Sequence, residues 1–172
     1  MVFDKLNILP LTNETLWWEI SRQDDNLAEH FTKREWEYMF GESFSEIDLL
    51  NFTNDFPYYI KSYTLKRNRG EAVGFVYILA DINKKSTISI HGGGWANAQI
   101  NYIGYIMILD ALLKCGVKVK TSCASSNDIA IRFSRSVGFV PYRYTNTTIY
   151  MWINEKRLKN SSIYKRFRES YK

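Results

Sequence analysis

The chain has 172 residues, a formal charge of +5 and 16% aromatic residues, which suits one domain with a core that needs neither disulfides nor metal. No stretch of roughly 18 or more uncharged apolar residues occurs, and the start lacks a basic segment leading into a long apolar run, so neither a membrane span nor a signal peptide is expected. Two cysteines, Cys115 and Cys123, and two histidines, His30 and His91, are too few for a disulfide framework or a His-rich metal site. The expectation is a cytoplasmic chain with reduced thiols, no metal and no membrane partner.

Residues 5–11, KLNILPL, read as a short first strand. Asn13 then suits a helix N-cap, Glu14 favours the first turn, and Leu16, Trp17 and Ile20 fall at helical spacing. Thr32 with Glu35, and Ser43 with Glu46, have capping-box form, so short helices are expected to about residue 51. The pattern then changes. Residues 58–66 and 71–82 are strand-like and flank a turn at Asn68–Gly70, and residues 86–91 alternate cleanly, which predicts an antiparallel meander. After the run Gly92–Gly94, the residues Ile100, Ile103, Met107 and Ala111 predict a helix that Gly116 stops. Residues 117–123 alternate as a strand. Asn127 opens a second helix carrying Ile129, Phe133 and Val137, with Gly138 at its end. Residues 139–145 and 147–153 read as a final hairpin about Asn146. The order predicts an α/β fold: a mixed, mostly antiparallel central sheet flanked by helices, β-α-α-β-β-β-α-β-α-β-β, with a helix after it. Residues 1–153 are expected to form the domain and 154–172 a basic helix or tail. That tail holds seven basic residues against Glu155 and Glu169, so a weak polyanion contact is one expectation and a solvated helix face the other.

A glycine run after His91 raises three chemistries. The oxyanion hole of a lipase-like esterase needs a G-x-S-x-G elbow and a histidine downstream of it, and the chain has neither. Dinucleotide and P-loop fingerprints are also missing. The third reading uses position: a strand feeds a helix here, and a helix N-terminus offers free N–H groups and a positive dipole end to a phosphate.

Gln99-Ile-Asn-Tyr102-Ile-Gly104 resembles the Q/R-x-x-G-x-G/A pyrophosphate loop of the GNAT superfamily of acyl-CoA-dependent N-acetyltransferases, with Tyr102 at the first glycine position. Residues 127–139, NDIAIRFSRSVGF, resemble the N-x-x-A-x-x-x-Y-x-x-x-G-F segment of that family, with Ser134 where tyrosine is usual. Residues 70–78, GEAVGFVYI, resemble its third-strand region, and the element order is similar over residues 5–153. The resemblance implies acetyl-CoA as acyl donor, wedged where the fourth and fifth strands splay, and a small-molecule or peptide amine as acceptor. It implies a bulge at Gly92–Gly94 and a phosphate cradle of backbone amides over Asn101, Tyr102, Ile103, Gly104 and Tyr105, shaped by Gln99. Asn127 would contact the pantetheine or cap its helix.

The implied chemistry is direct attack of a neutral amine on the thioester, with a base taking the amine proton and an acid meeting the thiolate. Ser134 stands at the acid's position, with Tyr142 and Tyr144 as other sources of a hydroxyl. His91, on the strand face opposite Ile88 and Ile90, is the candidate base. The aromatics Trp17, Trp18, Tyr58, Tyr59, Tyr142, Tyr144 and Trp152 are candidates for the acceptor site, the core or a homodimer contact. A catalytically inactive acyl-CoA-binding or regulatory module is the alternative that Tyr102 and Ser134 suggest.

Overall fold

The structure is a computed structural model and describes residues 9–10, 15–25, 27–30, 58–81 and 87–171. The two capping boxes at 32–35 and 43–46, and residues 5–8 and 11 of the first expected strand, lie outside them. Among the described residues eight strands form one sheet: β1 (Leu9–Pro10), β2 (Thr15–Ile20), β3 (Tyr58–Arg67), β4 (Glu71–Asp81), β5 (Thr87–Gly94), β6 (Lys118–Ala124), β7 (Val140–Tyr144) and β8 (Thr148–Ile153). Their spatial order is β1-β2-β3-β4-β5-β6-β8-β7, and β5–β6 is the one parallel neighbouring pair. The mixed, mostly antiparallel sheet is the one the sequence predicts. Helix α1 (Ala98–Lys114) makes the crossover from β5 to β6, and α2 (Asp128–Val137) follows β6.

The helix expected after Asn13 is instead strand β2. Leu16 and Trp18 are buried in the core while Trp17 and Glu19 face the other way, so the apolar period here is two, not 3.6. Glu19 and Asp25 meet the Lys66 ammonium at 3.2 and 2.7 Å on that outer face. The cross-strand partners of β3, Leu16 with Arg67 through Ile20 with Tyr63, decide the matter over local spacing.

Ile88 and Ile90 of β5, Val76 and Ile78 of β4 and Val119 of β6 form the inner face, against Ile103, Ile106 and Met107 of α1. The tail folds as two helices, α3 (Glu155–Asn160) and α4 (Ser162–Tyr171), not one. Ser161 makes the break: its hydroxyl donates to Leu158 O at 2.7 Å and accepts from Tyr164 N at 3.1 Å. Leu158 and Phe167 join the same core, and the tail's lysines and arginines among the described residues point outward. Gly138, at φ 112°, lets the end of α2 pass close to α3; a Cβ there would stand 2.7 Å from Arg157 O.

Gly104 faces Leu65 of β3 where α1 packs on the sheet. A Cβ on it would collide with Leu65 Cδ2, and Leu65 is only 2% exposed. The Gly104 carbonyl accepts the Trp18 indole N–H at 2.9 Å. Gly104→Ala is therefore expected to lower stability by about 1–3 kcal/mol through overpacking. Urea unfolding checks this, and an unchanged midpoint would show that Leu65 has room to yield.

Candidate functional site

Among the described residues, strands β5 and β6 pair over three residue pairs, Thr87–Lys118, Ile88–Val119 and Ser89–Lys120. Beyond these they part, yet neither arm is left unsupported. β5 stays in register with β4 as far as Gly74–Gly94, and β6 stays paired with β8 as far as Ala124–Thr148. A cleft of about 690 Å³ opens at the carboxyl ends of the two strands, and the residues around it include Phe75, Tyr77, His91, Tyr105, Thr121 and Ser134. Open α/β sheets bind ligands at this kind of place. Among the described residues no Asp, Glu, Lys or Arg lines it.

The apex is held on both faces of the sheet. On the helix side, Thr121 Oγ1 donates to Ile90 O at 2.7 Å, and Tyr105 lines the cleft near it. On the other side, the His91 ring stacks on Tyr77 at 5.0 Å and lies beside the Ser122 carbonyl. Burial lowers the His91 pKa from its ordinary value to about 4, against the Ser122 carbonyl, which raises it. His91 is thus a fixed, neutral acceptor at neutral pH, which is a weaker base than its ordinary pKa range suggested. Burial also pushes the Cys123 thiol and the Tyr77 and Tyr105 hydroxyls up.

The glycines do not form the expected bulge. Gly92, Gly93 and Gly94 pair regularly with Val76, Phe75 and Gly74, and none has a positive φ. Gly92 is required because a Cβ would strike Phe75 O and come within 2.8 Å of Val76 Cγ1. At Gly94 a Cβ would strike the Asn101 side chain. Register shifts lie elsewhere, between Leu65 and Lys66 of β3 against Ala72 and Gly74 of β4, and between Pro141 and Arg143 of β7.

The expected phosphate cradle also changes. Helix α1 starts at Ala98, capped by Asn97, whose Oδ1 accepts from Ile100 N at 3.0 Å. Asn101 N already donates to Asn97 O at 3.1 Å. The amides of Tyr102, Ile103, Gly104 and Tyr105 follow it into the helical ladder, so the free donors at this end are those of Ala98 and Gln99. Gln99 is exposed, Ile103 is in the core, and Gly104 faces Leu65. Tyr102 lies face to face with Phe133 at 4.6 Å. Asn101 and Tyr105 line the cleft through their side chains, and Asn101 Oδ1 is buried without a hydrogen-bond partner.

Asn127 both caps α2, accepting from Ala130 N at 3.1 Å, and lines the cleft; Ser134, 8% exposed, lines it from the same helix. Of the aromatics expected near an acceptor, Trp18 borders the cleft. Tyr142 and Tyr144 stand exposed on edge strand β7, and Trp152 lies under the Arg157 guanidinium. The side chains of Tyr58 and Tyr59 lie outside the described residues. Sequence reasoning missed Thr121, Ser122, Cys123, Phe75 and Tyr77. Alternation in β6 carried a partial signal, since it sets Thr121 on the face of buried Val119.

Neither a protein-family model nor a curated protein matches the chain. Solved structures do. An uncharacterized protein from Bacillus halodurans matches with a TM-score of 0.73 at 12% identity, over 95% of this chain and 97% of that one. Spermidine N-acetyltransferase from Vibrio cholerae, in complex with CoA and spermine, matches with a TM-score of 0.66 at 15% identity, over 84% and 98%. The GNAT domain of S. lividans PAT matches with a TM-score of 0.63 at 13% identity, over 86% and 96%.

His91 has a testable consequence. Its folded pKa of about 4 lies below the ordinary 6.5, so the unfolded chain takes up the proton first as pH falls. The stability contributed by neutral His91 is complete above pH 6.5 and is lost between there and pH 4, by up to about 3 kcal/mol. His91→Gln should flatten that part of the stability–pH curve. An equal slope in both proteins would show that another group titrates there.

Proposed function

Starting from a chain with the fold of the GNAT acetyltransferases, we propose that this protein moves an acetyl group from acetyl-CoA to a primary amine of a small molecule or peptide by direct attack. The observation that carries the reading is the cleft between β5 and β6, open at their carboxyl ends and rigid on both arms. The residues present fit an extended, amide-bearing donor. Asn101 Oδ1 is a buried acceptor without a partner beside Gly94. Ile90 O faces β6, so alternation turns the N–H and C=O groups of Gly92 and Gly94 to the same open side, with no side chain in the way.

Bound there, acetyl-CoA supplies an activated acyl carbonyl and a thiolate leaving group. The chain's own groups bind and orient. Asn101, Asn127 and the open edge of β5 hold amide groups. The free amides of Ala98 and Gln99, at the positive end of α1, meet phosphate. The free nitrogen of His91 accepts a hydrogen from the amine and aims its lone pair, and Ser134 offers a hydroxyl from α2. The amine nitrogen gains a bond to carbon and loses a proton, and the carbon–sulfur bond breaks with the proton ending on sulfur. A small amine acceptor is favoured by the spermine-bound neighbour and by an aminoglycoside acetyltransferase of the same fold, with a TM-score of 0.61 at 13% identity, in complex with coenzyme A and kanamycin.

Calorimetric titration with acetyl-CoA is expected to give a Kd below about 1 mM. Ala130→Phe, which fills the cleft wall on α2, should weaken binding by more than about tenfold while leaving the unfolding midpoint in place. Absence of binding to the unaltered protein at millimolar acetyl-CoA would overturn the reading. Binding without transfer to a broad amine panel, followed by thiol release, would make the protein the non-catalytic module that Ser134 suggests.

A further inference from the structure

We infer that the outer face of β6, β8 and β7 is a docking surface for single-stranded nucleic acid; the inference concerns a surface beside the cleft and does not rest on the acyl-donor reading. Alternation in β8 turns Thr148, Tyr150 and Trp152 away from the core that takes Ile149, Met151 and Ile153. In β6 it turns Lys118 and Lys120 the same way, opposite Val119, and Lys120 is the cross-strand partner of Trp152. On β7, Arg143 pairs with Tyr150. The register shift before Arg143 leaves Tyr142 on the same side, with its ring 6.3 Å from that of Tyr150. The three strands contain no Asp or Glu.

Each of these rings has a cation over it. Lys120 Nζ lies 5.1 Å from the Tyr142 centroid, Arg143 Cζ 5.2 Å from that of Tyr150, and Arg157 Cζ, from α3, 5.0 Å from that of Trp152. Among the described residues none of the three cations has an ion-pair partner, so their charge is left for an outside anion. Cations for phosphates, interleaved with ring faces for bases, are what a single strand needs. Tyr142 is 47% exposed and has ring surface to offer. Tyr150 and Trp152, two residues apart on one strand, are separated by roughly 7 Å. That is about twice the 3.4 Å step of stacked bases in a duplex, so bases lying on both rings must have left the duplex stack. A second copy of this chain suits the face poorly. It would set cation against cation, and Pro141 and the register shift interrupt β7 as an edge for strand addition.

Labelled oligothymidylate and oligouridylate of about 20 nucleotides, followed by fluorescence anisotropy at low salt, are the probes. Binding of at least one is expected, with a duplex of the same length and polyglutamate competing weakly. Tyr142→Ala should weaken single-strand binding about tenfold. Arg143→Ala should lower the slope of log affinity against log salt by about 0.7. Lys165→Gln, an exposed change on α4, should leave the preference for single strands in place. No binding of either oligonucleotide would overturn the inference. Equal competition by duplex or polyglutamate would also overturn it, since that marks charge alone, and so would unchanged affinity and salt slope in both face variants. A dimer in sedimentation that Tyr142→Ala dissolves would give the face to a second copy instead.

Discussion

The short parallel pairing of β5 with β6 is the constraint on which the rest of the molecule depends. Among the described residues three pairs join the two halves of the sheet, and the strands then separate while keeping their outer neighbours. An unpaired strand edge ordinarily invites association with another chain. Here the exposed edges face each other across a gap that the crossover helix α1 and the following helix α2 enclose on one side. The polar groups freed by the split become a lining, and backbone satisfaction is deferred to whatever enters the gap.

Holding such an opening requires a rigid apex. On one face the Thr121 hydroxyl of β6 donates to Ile90 O of β5, and on the other the His91 ring stacks on Tyr77 beside the Ser122 carbonyl. Both lie at the point where the regular ladder stops. The depressed pKa of His91 belongs to the same design: a charged imidazole stacked on Tyr77 would need a second acceptor, and burial penalises it.

The sheet, the crossover and both capped helices were legible in the sequence because each rests on local chemistry. Alternation marks β5 and β6, a largely apolar run marks β4, Asn127 caps α2, and Gly138 ends it with a left-handed residue. What sequence did not reveal was set by neighbours distant in the chain. Residues 15–20 carry spacing compatible with a helix, and pairing with β3, 40 or more residues later, makes them a strand. Gly104 matches a phosphate-loop glycine, yet its requirement is Leu65. Gly92 and Gly94 look like a place where a strand bends, yet β4 on one side and Asn101 on the other demand them in a straight one. A glycine reports that space is short, and only the fold says what occupies it.

Tyr102 shows how the same logic resolves a misfit. In the loop reading its ring would crowd the phosphates, since the position calls for glycine. In the structure helix α1 begins at Ala98, so residue 102 is already in the second turn and its amide bonds within the helix. Glycine's freedom has no use there, and a side chain costs nothing if it points away. It points to α2, where it stacks on Phe133, the residue whose ring also braces Tyr105. The departure from the motif and the placing of Tyr105 in the cleft wall are therefore linked. Starting the helix early removes amides from the loop and turns Tyr102 outward. It also sets α1 beside α2 so that an aromatic stack carries Tyr105 to the point where the strands divide.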